Sequence, residues 1–96
     1  MRIFWTDAAL RQLEAIRDYL AQTSSEYAHR TVERLVNRSE QVAAFPRPGR
    51  TVPEYEIDGV RQAVEGAYRL IYLIKEDRIE VLAVVHTSRK SLPQEE

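Results

Sequence analysis

Ninety-six residues, fourteen basic against fifteen acidic, leave a formal charge of −1, so no overall basic field draws this chain to nucleic acid. The length suits one domain, 1-96, with a single core, and the lack of cysteine excludes a disulfide frame, a thiolate metal site and a cysteine nucleophile. No apolar run approaches the ~20 residues of a membrane span, and the opening MRIFWTDAAL has no signal-peptide core, so a cytoplasmic protein is expected.

Arg2 to Trp5 is short, β-branched and aromatic, and Thr6-Asp7 follows as a helix-start signal. A first strand running straight into a helix is predicted. Leu10, Leu13, Ile16, Tyr19 and Leu20 then fall at the period of a helical stripe, with Arg11, Glu14, Arg17 and Asp18 opposite. Gln22 to Ser25 breaks the pattern. Thr23 and Glu26 have capping-box spacing for a second helix, whose apolar face includes Ala28, Val32, Leu35, Val36, Val42 and Ala43. That helix must end before Pro46, because the residue ahead of a proline is pushed out of helical geometry. So short a connection implies an antiparallel helical hairpin.

The segment from Phe45 to Pro53 is a proline- and glycine-rich connector. Its Pro48-Gly49-Arg50 lacks the successive amides of a phosphate nest and reads as a shaped link. Val60 to Val64 is a strand, and Gly66-Ala67 a tight turn with glycine first. The stretch from Tyr68 to Arg89, YRLIYLIKEDRIEVLAVVHTSR, reads as an antiparallel hairpin around Lys75-Glu76-Asp77-Arg78. Pairing Ile74 with Ile79 sets Tyr72 against Val81 and Leu70 against Ala83. One face then carries Tyr68, Leu70, Tyr72, Ile74, Ile79, Val81, Ala83 and Val85. The other carries Ile71, Leu73, Leu82 and Val84, with Arg69, Glu80 and His86. A sheet that only packs on helices keeps its second face polar; this one reads as a binding surface. The fold class is therefore α+β, in the order β-α-α-β-β-β, an antiparallel sheet with a two-helix hairpin on one face.

That order, with Pro48-Gly49-Arg50, Val60-Arg61, Tyr68-Arg69-Leu70-Ile71-Tyr72 and Val85-His86-Thr87-Ser88-Arg89, resembles the RelE/ParE superfamily of bacterial type II toxins. The resemblance covers nearly the whole chain. It implies a growth-inhibitory toxin neutralised by a co-encoded antitoxin in a toxin–antitoxin hetero-oligomer. ParE-like members poison DNA gyrase; RelE-like members cut mRNA in the ribosome. Metal-free RNA cleavage needs an acid and a base near the scissile phosphate and cations for its charge. Here the candidates are Arg61, Arg69, Arg89 and His86, with Lys90 as a further cation. The C-terminal tyrosine and the lysine pair of many ribosome-dependent members are missing, and a pI near 6.1 lacks the basic excess of an RNA binder. The balance favours the ParE-like branch. The alternatives are a RelE-like endoribonuclease and a degenerate member that binds antitoxin without toxicity.

For antitoxin or target binding the candidates are Arg69, Ile71, Leu73, Leu82, Val84, His86 and Arg89. Arg69 reads either as a contact for a partner carboxylate or as a structural group paired with Glu65 or Glu80. Arg61 shares the helix-packed face with Tyr72 in the simplest register, which favours structural pairing. His86 lies diagonal to Arg69 in this register, so it is an acid/base candidate as well as a structural one. No second histidine lies near it in sequence, His29 being in the second helix, so neither a metal nor another cofactor is expected. Arg30, Arg34 and Arg38 form a stripe on the second helix, read as a solvated face or as a docking strip for an acidic antitoxin segment.

Overall fold

Thr6 ends the first strand and starts the first helix with one side chain. Its Oγ1 accepts from the Ala9 amide at 3.1 Å, the N-cap bond of that helix, and donates to the Val81 carbonyl at 3.0 Å across the sheet. The computed structural model describes residues 1–45, 50–52 and 59–88. Among these the elements are β1 (Arg2–Trp5), α1 (Asp7–Ala21), α2 (Ser25–Ala44), β2 (Arg50–Thr51), β3 (Val60–Glu65), β4 (Tyr68–Ile74) and β5 (Arg78–His86). The α+β order matches the expectation, with the two-residue β2 added at the sheet edge. Between the helices the cap is Ser24, whose side chain accepts from the Tyr27 amide at 3.1 Å, so the capping box expected at Thr23 does not form. Gly66 has the positive φ (61°) that the β3–β4 turn requires at its first position.

The sheet order is β1-β5-β4-β3-β2. β2 through β5 are antiparallel, whereas β1 joins β5 in parallel, Arg2 opposite Arg78 and Trp5 opposite Val81. The extra reversal at β2 explains this: it turns the chain once more between α2 and β3, so β5 arrives running in the direction of β1.

The β4–β5 register begins as expected, with Ile74 opposite Ile79 and Tyr72 opposite Val81. It then slips. Ile71 lies opposite Ala83 and Leu70 opposite Val84, leaving Leu82 as the extra residue of a β-bulge. The bulge forms where β1 stops pairing. There the Thr6 amide donates to the Val81 carbonyl at 3.1 Å, and the Gln12 side chain accepts from the Val84 amide at 2.8 Å. Polar groups from the start of α1 thus take over the edge of β5 from a strand that has ended.

One inserted residue moves the rest of β5 to the opposite face. Val84 packs with Ala9, Leu13, Leu35 and Leu70 in the core beneath the helices. Ala83 and Val85 join Ile71, Val60 and Val52 in a second cluster on the other side. Ile71 and Val84 are 0% and 2% exposed, so the open apolar strip expected from the sequence does not exist in this form. Val52, from the connector after β2, packs over Ile71. Burying an aliphatic side chain of this size stabilises by about 1.5–3 kcal/mol, reason enough for the connector to close that face.

Candidate functional site

The bulge also separates the residues expected to act together. Arg69 stands between Val64 and Val85 on the face that Val52 covers and is 6% exposed. A buried guanidinium needs hydrogen-bond acceptors, and its Nη1 donates to Gln62 Oε1 at 2.9 Å. Neither expected carboxylate supplies the bond. Glu80 is held by Arg78 Nε at 2.9 Å and Lys75 Nζ at 3.4 Å, and Glu65 lies opposite Tyr68 on the helix side. The Arg78 hydrogen bond holds the Glu80 carboxyl below the usual carboxylate range, helped by Lys75.

His86 lies opposite Tyr68 on the helix side, not diagonal to Arg69. Its ring meets Tyr68 edge-to-face at 5.5 Å, it is exposed, and Nδ1 accepts from the Ser88 amide at 3.1 Å. In the neutral ring that bond leaves the proton on Nε2. Arg61 occupies the helix-packed face opposite Tyr72, as its register implied, and its Nη1 donates to the Val60 carbonyl at 3.1 Å. Burial pushes the Tyr72 hydroxyl up, and Arg61 and Arg38 partly offset it. Arg61 and Arg69 therefore face opposite sides of the sheet. Leu73 and Leu82 are half-buried. Arg89 and Lys90 lie outside the described residues, as do Pro48 and Gly49. Among the described residues no group of His, Asp or Glu is placed to hold a metal ion, and no helix is long and apolar enough to cross a membrane.

Two surface constellations were not read from the sequence. The first is aromatic: Tyr19 and Tyr27 are 68% and 47% exposed near Tyr68, which in turn meets His86. Burial raises the Tyr68 hydroxyl pKa, with smaller contributions from Tyr27 and Tyr19. Tyr19 and Tyr27 flank the helix–helix connection, so hairpin geometry alone could have brought them together. Arg34 joins Tyr27, Glu65 and Tyr68 in lining a shallow groove there. The arginine stripe is thereby divided. Arg38 is tied down, donating to the Val64 carbonyl at 3.4 Å and to Gln41 at 3.0 Å, and Arg34 borders the groove. Glu33, on the same helix, lies 3.6 Å from His29. The second constellation is the Phe4 ring with the guanidiniums of Arg2 and Arg78 over it at 5.1 Å and 5.9 Å.

This arrangement offers aromatic and cationic surface for recognition, and it does not bring Arg61, Arg69 and His86 together. Known proteins resemble the chain in sequence and in fold. Toxin RelE2 of Caulobacter vibrioides is 30% identical over 88 residues, which is 92% of this chain and 97% of that protein. A solved structure described as the chromosomal ParDE TA system from P. aeruginosa superposes with a TM-score of 0.74 at 25% identity, covering 90% of this chain and 95% of its counterpart. The toxin–antitoxin complex RelBE2 from Mycobacterium tuberculosis shares the fold, with a TM-score of 0.67 at 22% identity over 88% of this chain and 95% of that one. Residues 3–91 match the family described as the ParE toxin of the type II toxin-antitoxin system parDE, and the chain belongs to that family within the RelE/ParE superfamily of type II toxins.

Proposed function

We propose that this toxin acts by binding a protein, DNA gyrase, and that a co-encoded antitoxin neutralises it by covering its exposed aromatic and cationic surface. The dispersal of the nuclease candidates carries this reading. Phosphodiester cleavage needs proton-transfer groups within about 3 Å of the reacting atoms and cations beside the same phosphate. Arg61 and Arg69 face opposite sides of the sheet, Arg69 is buried, and the Arg69–His86 diagonal is broken by the bulge. A formal charge of −1 also lacks the basic excess that phosphate contacts demand.

Antitoxin binding is supported by exposed apolar surface at Tyr19, Tyr27 and Phe4, and by the solved relatives, whose descriptions are of toxin–antitoxin systems and complexes. Arg69, Ile71 and Val84 are set aside as direct contacts, because a partner could reach them only by displacing the packing over them. An endoribonuclease is the second reading, and His86 favours it: the ring is exposed, and its bonds among the described residues run through Nδ1.

Induction without antitoxin, followed by labelled thymidine and labelled methionine in parallel, tests the proposal. Arrest of DNA synthesis before protein synthesis, with purified protein inhibiting gyrase supercoiling, is the expected result. Early translational arrest with mRNA cut on the ribosome would overturn it.

A further inference from the structure

Tyr27 stands in the first turn of α2, where the Ser24 side chain accepts from its amide at 3.1 Å, and the residue stays 47% exposed. Tyr19, near the end of α1, is 68% exposed. Tyr27, Thr31 and Arg34 of α2 form one wall of a groove, and Glu65 to Tyr68, around the β3–β4 turn, form the other. Two charges of opposite sign therefore share this groove. Nearby, Glu33 lies 3.6 Å from His29, and Arg38 donates to Gln41 and to the Val64 carbonyl. Arg34 and Glu65, by contrast, make no ion pair with each other or with any other described residue.

Such a surface has a definite complement. One cation and one carboxylate leave no net charge to attract a polyanion, whose binding draws on several phosphates at once. A uniformly acidic segment would satisfy Arg34 and repel Glu65. The groove instead fits a surface that presents exposed rings with one charge of each sign at the same spacing. The chain itself carries that surface. In a two-fold contact both molecules use the same patch, so Arg34 of one copy meets Glu65 of the other and the reverse pair forms with it. Tyr19 and Tyr27 of each copy supply apolar area while their hydroxyls stay wet, and aromatic residues and arginine are enriched in interfaces.

We propose that the toxin free of antitoxin forms a two-fold dimer through this groove, held by Tyr19, Tyr27 and Tyr68 and by two symmetric Arg34–Glu65 pairs. The dimer does not depend on whether gyrase or mRNA is the target.

The test follows the mass of the purified full chain by analytical ultracentrifugation from about 1 µM to 1 mM, the range of weak association. Wild type should pass from one chain to two. Tyr27→Ala should weaken the dimer about tenfold to a hundredfold, the range of an interface aromatic. Arg34→Glu and Glu65→Arg should each weaken it at least about tenfold, because each sets like charges opposite one another twice. An equimolar mixture of those two variants should dimerise again, since every contact then joins opposite charges. The double variant should do so alone. Circular dichroism checks folding, with Tyr27→Phe and Arg34→Gln as milder companions. Recovery on mixing is specific to a two-fold contact, and misfolding could not produce it. A wild-type chain that stays monomeric throughout would overturn the proposal. A dimer that all these variants leave intact would also overturn it, by placing the interface elsewhere. A monomer whose antitoxin affinity falls in Tyr27→Ala would give the groove to the antitoxin instead of a second copy.

Discussion

Arg69 Nη1 donates to Gln62 Oε1 at 2.9 Å between neighbouring strands, in a region where Arg69 is 6% exposed. The bond joins β3 to β4 beside the cluster that Val52 closes, and so ties two strands together on a buried part of the sheet.

Arg69→Ala should therefore cost stability, about 1–3 kcal/mol, because it strands polar groups away from water. For a chain of this size that is a fall of about 4–8 °C in Tm per kcal/mol. Antitoxin affinity per folded molecule should be nearly unchanged. Melting and calorimetry on the same variant check this; a chain that melts normally yet binds antitoxin weakly would return Arg69 to the interface.

Thr6 serves the helix cap and the bulge together. Thr6→Ala should lose about 0.5–2 kcal/mol from the cap alone, and more in total, since the bond to the Val81 carbonyl goes with it. Thr6→Ser should keep most of both. Urea denaturation of the two variants is the measurement, and equal stability would mean that the Thr6 hydroxyl contributes nothing.

His86→Gln keeps a polar side chain of comparable reach and removes proton transfer. Growth inhibition should change little, and ribosome-bound mRNA should stay intact with either chain. In a nuclease that uses His86, activity would fall by about 10²–10⁴-fold. A loss of that size, with codon-positioned cuts vanishing, would favour the endoribonuclease.

Glu80 supplies a pH dependence of known sign. Its folded-state pKa is lowered from 4.5, first by the Arg78 hydrogen bond and then by Lys75. The group therefore adds stability above about pH 4.5, the unfolded value, and loses it as pH falls through the depressed folded value. Wild type should be more stable than Glu80→Gln at neutral pH, and the gap should close in acid. Both groups are partly exposed, so salt should shrink the gap. A gap that widens on acidification would contradict the Arg78–Glu80 assignment.

Local pattern determined the elements. The stripe from Leu10 to Leu20, the stop before Pro46, the glycine-first turn at Gly66 and the pairing of Ile74 with Ile79 all follow from residues close together in the chain, where periodicity and backbone preference act. They were legible without coordinates, as was the family resemblance they compose. The placement of the candidate site was not. The bulge at Leu82 occurs where Thr6, 75 residues from Val81 in sequence, meets the edge of β5 after β1 ends. Because side chains alternate along a strand, that single extra residue sends Val84 into the core and parts His86 from Arg69. Val52 covers Ile71 through a connector that carries no regular period, and Phe4 meets Arg78 through a parallel pairing of β1 with the far end of the chain. Each of these is a contact between distant segments, and only tertiary packing decides which of them form.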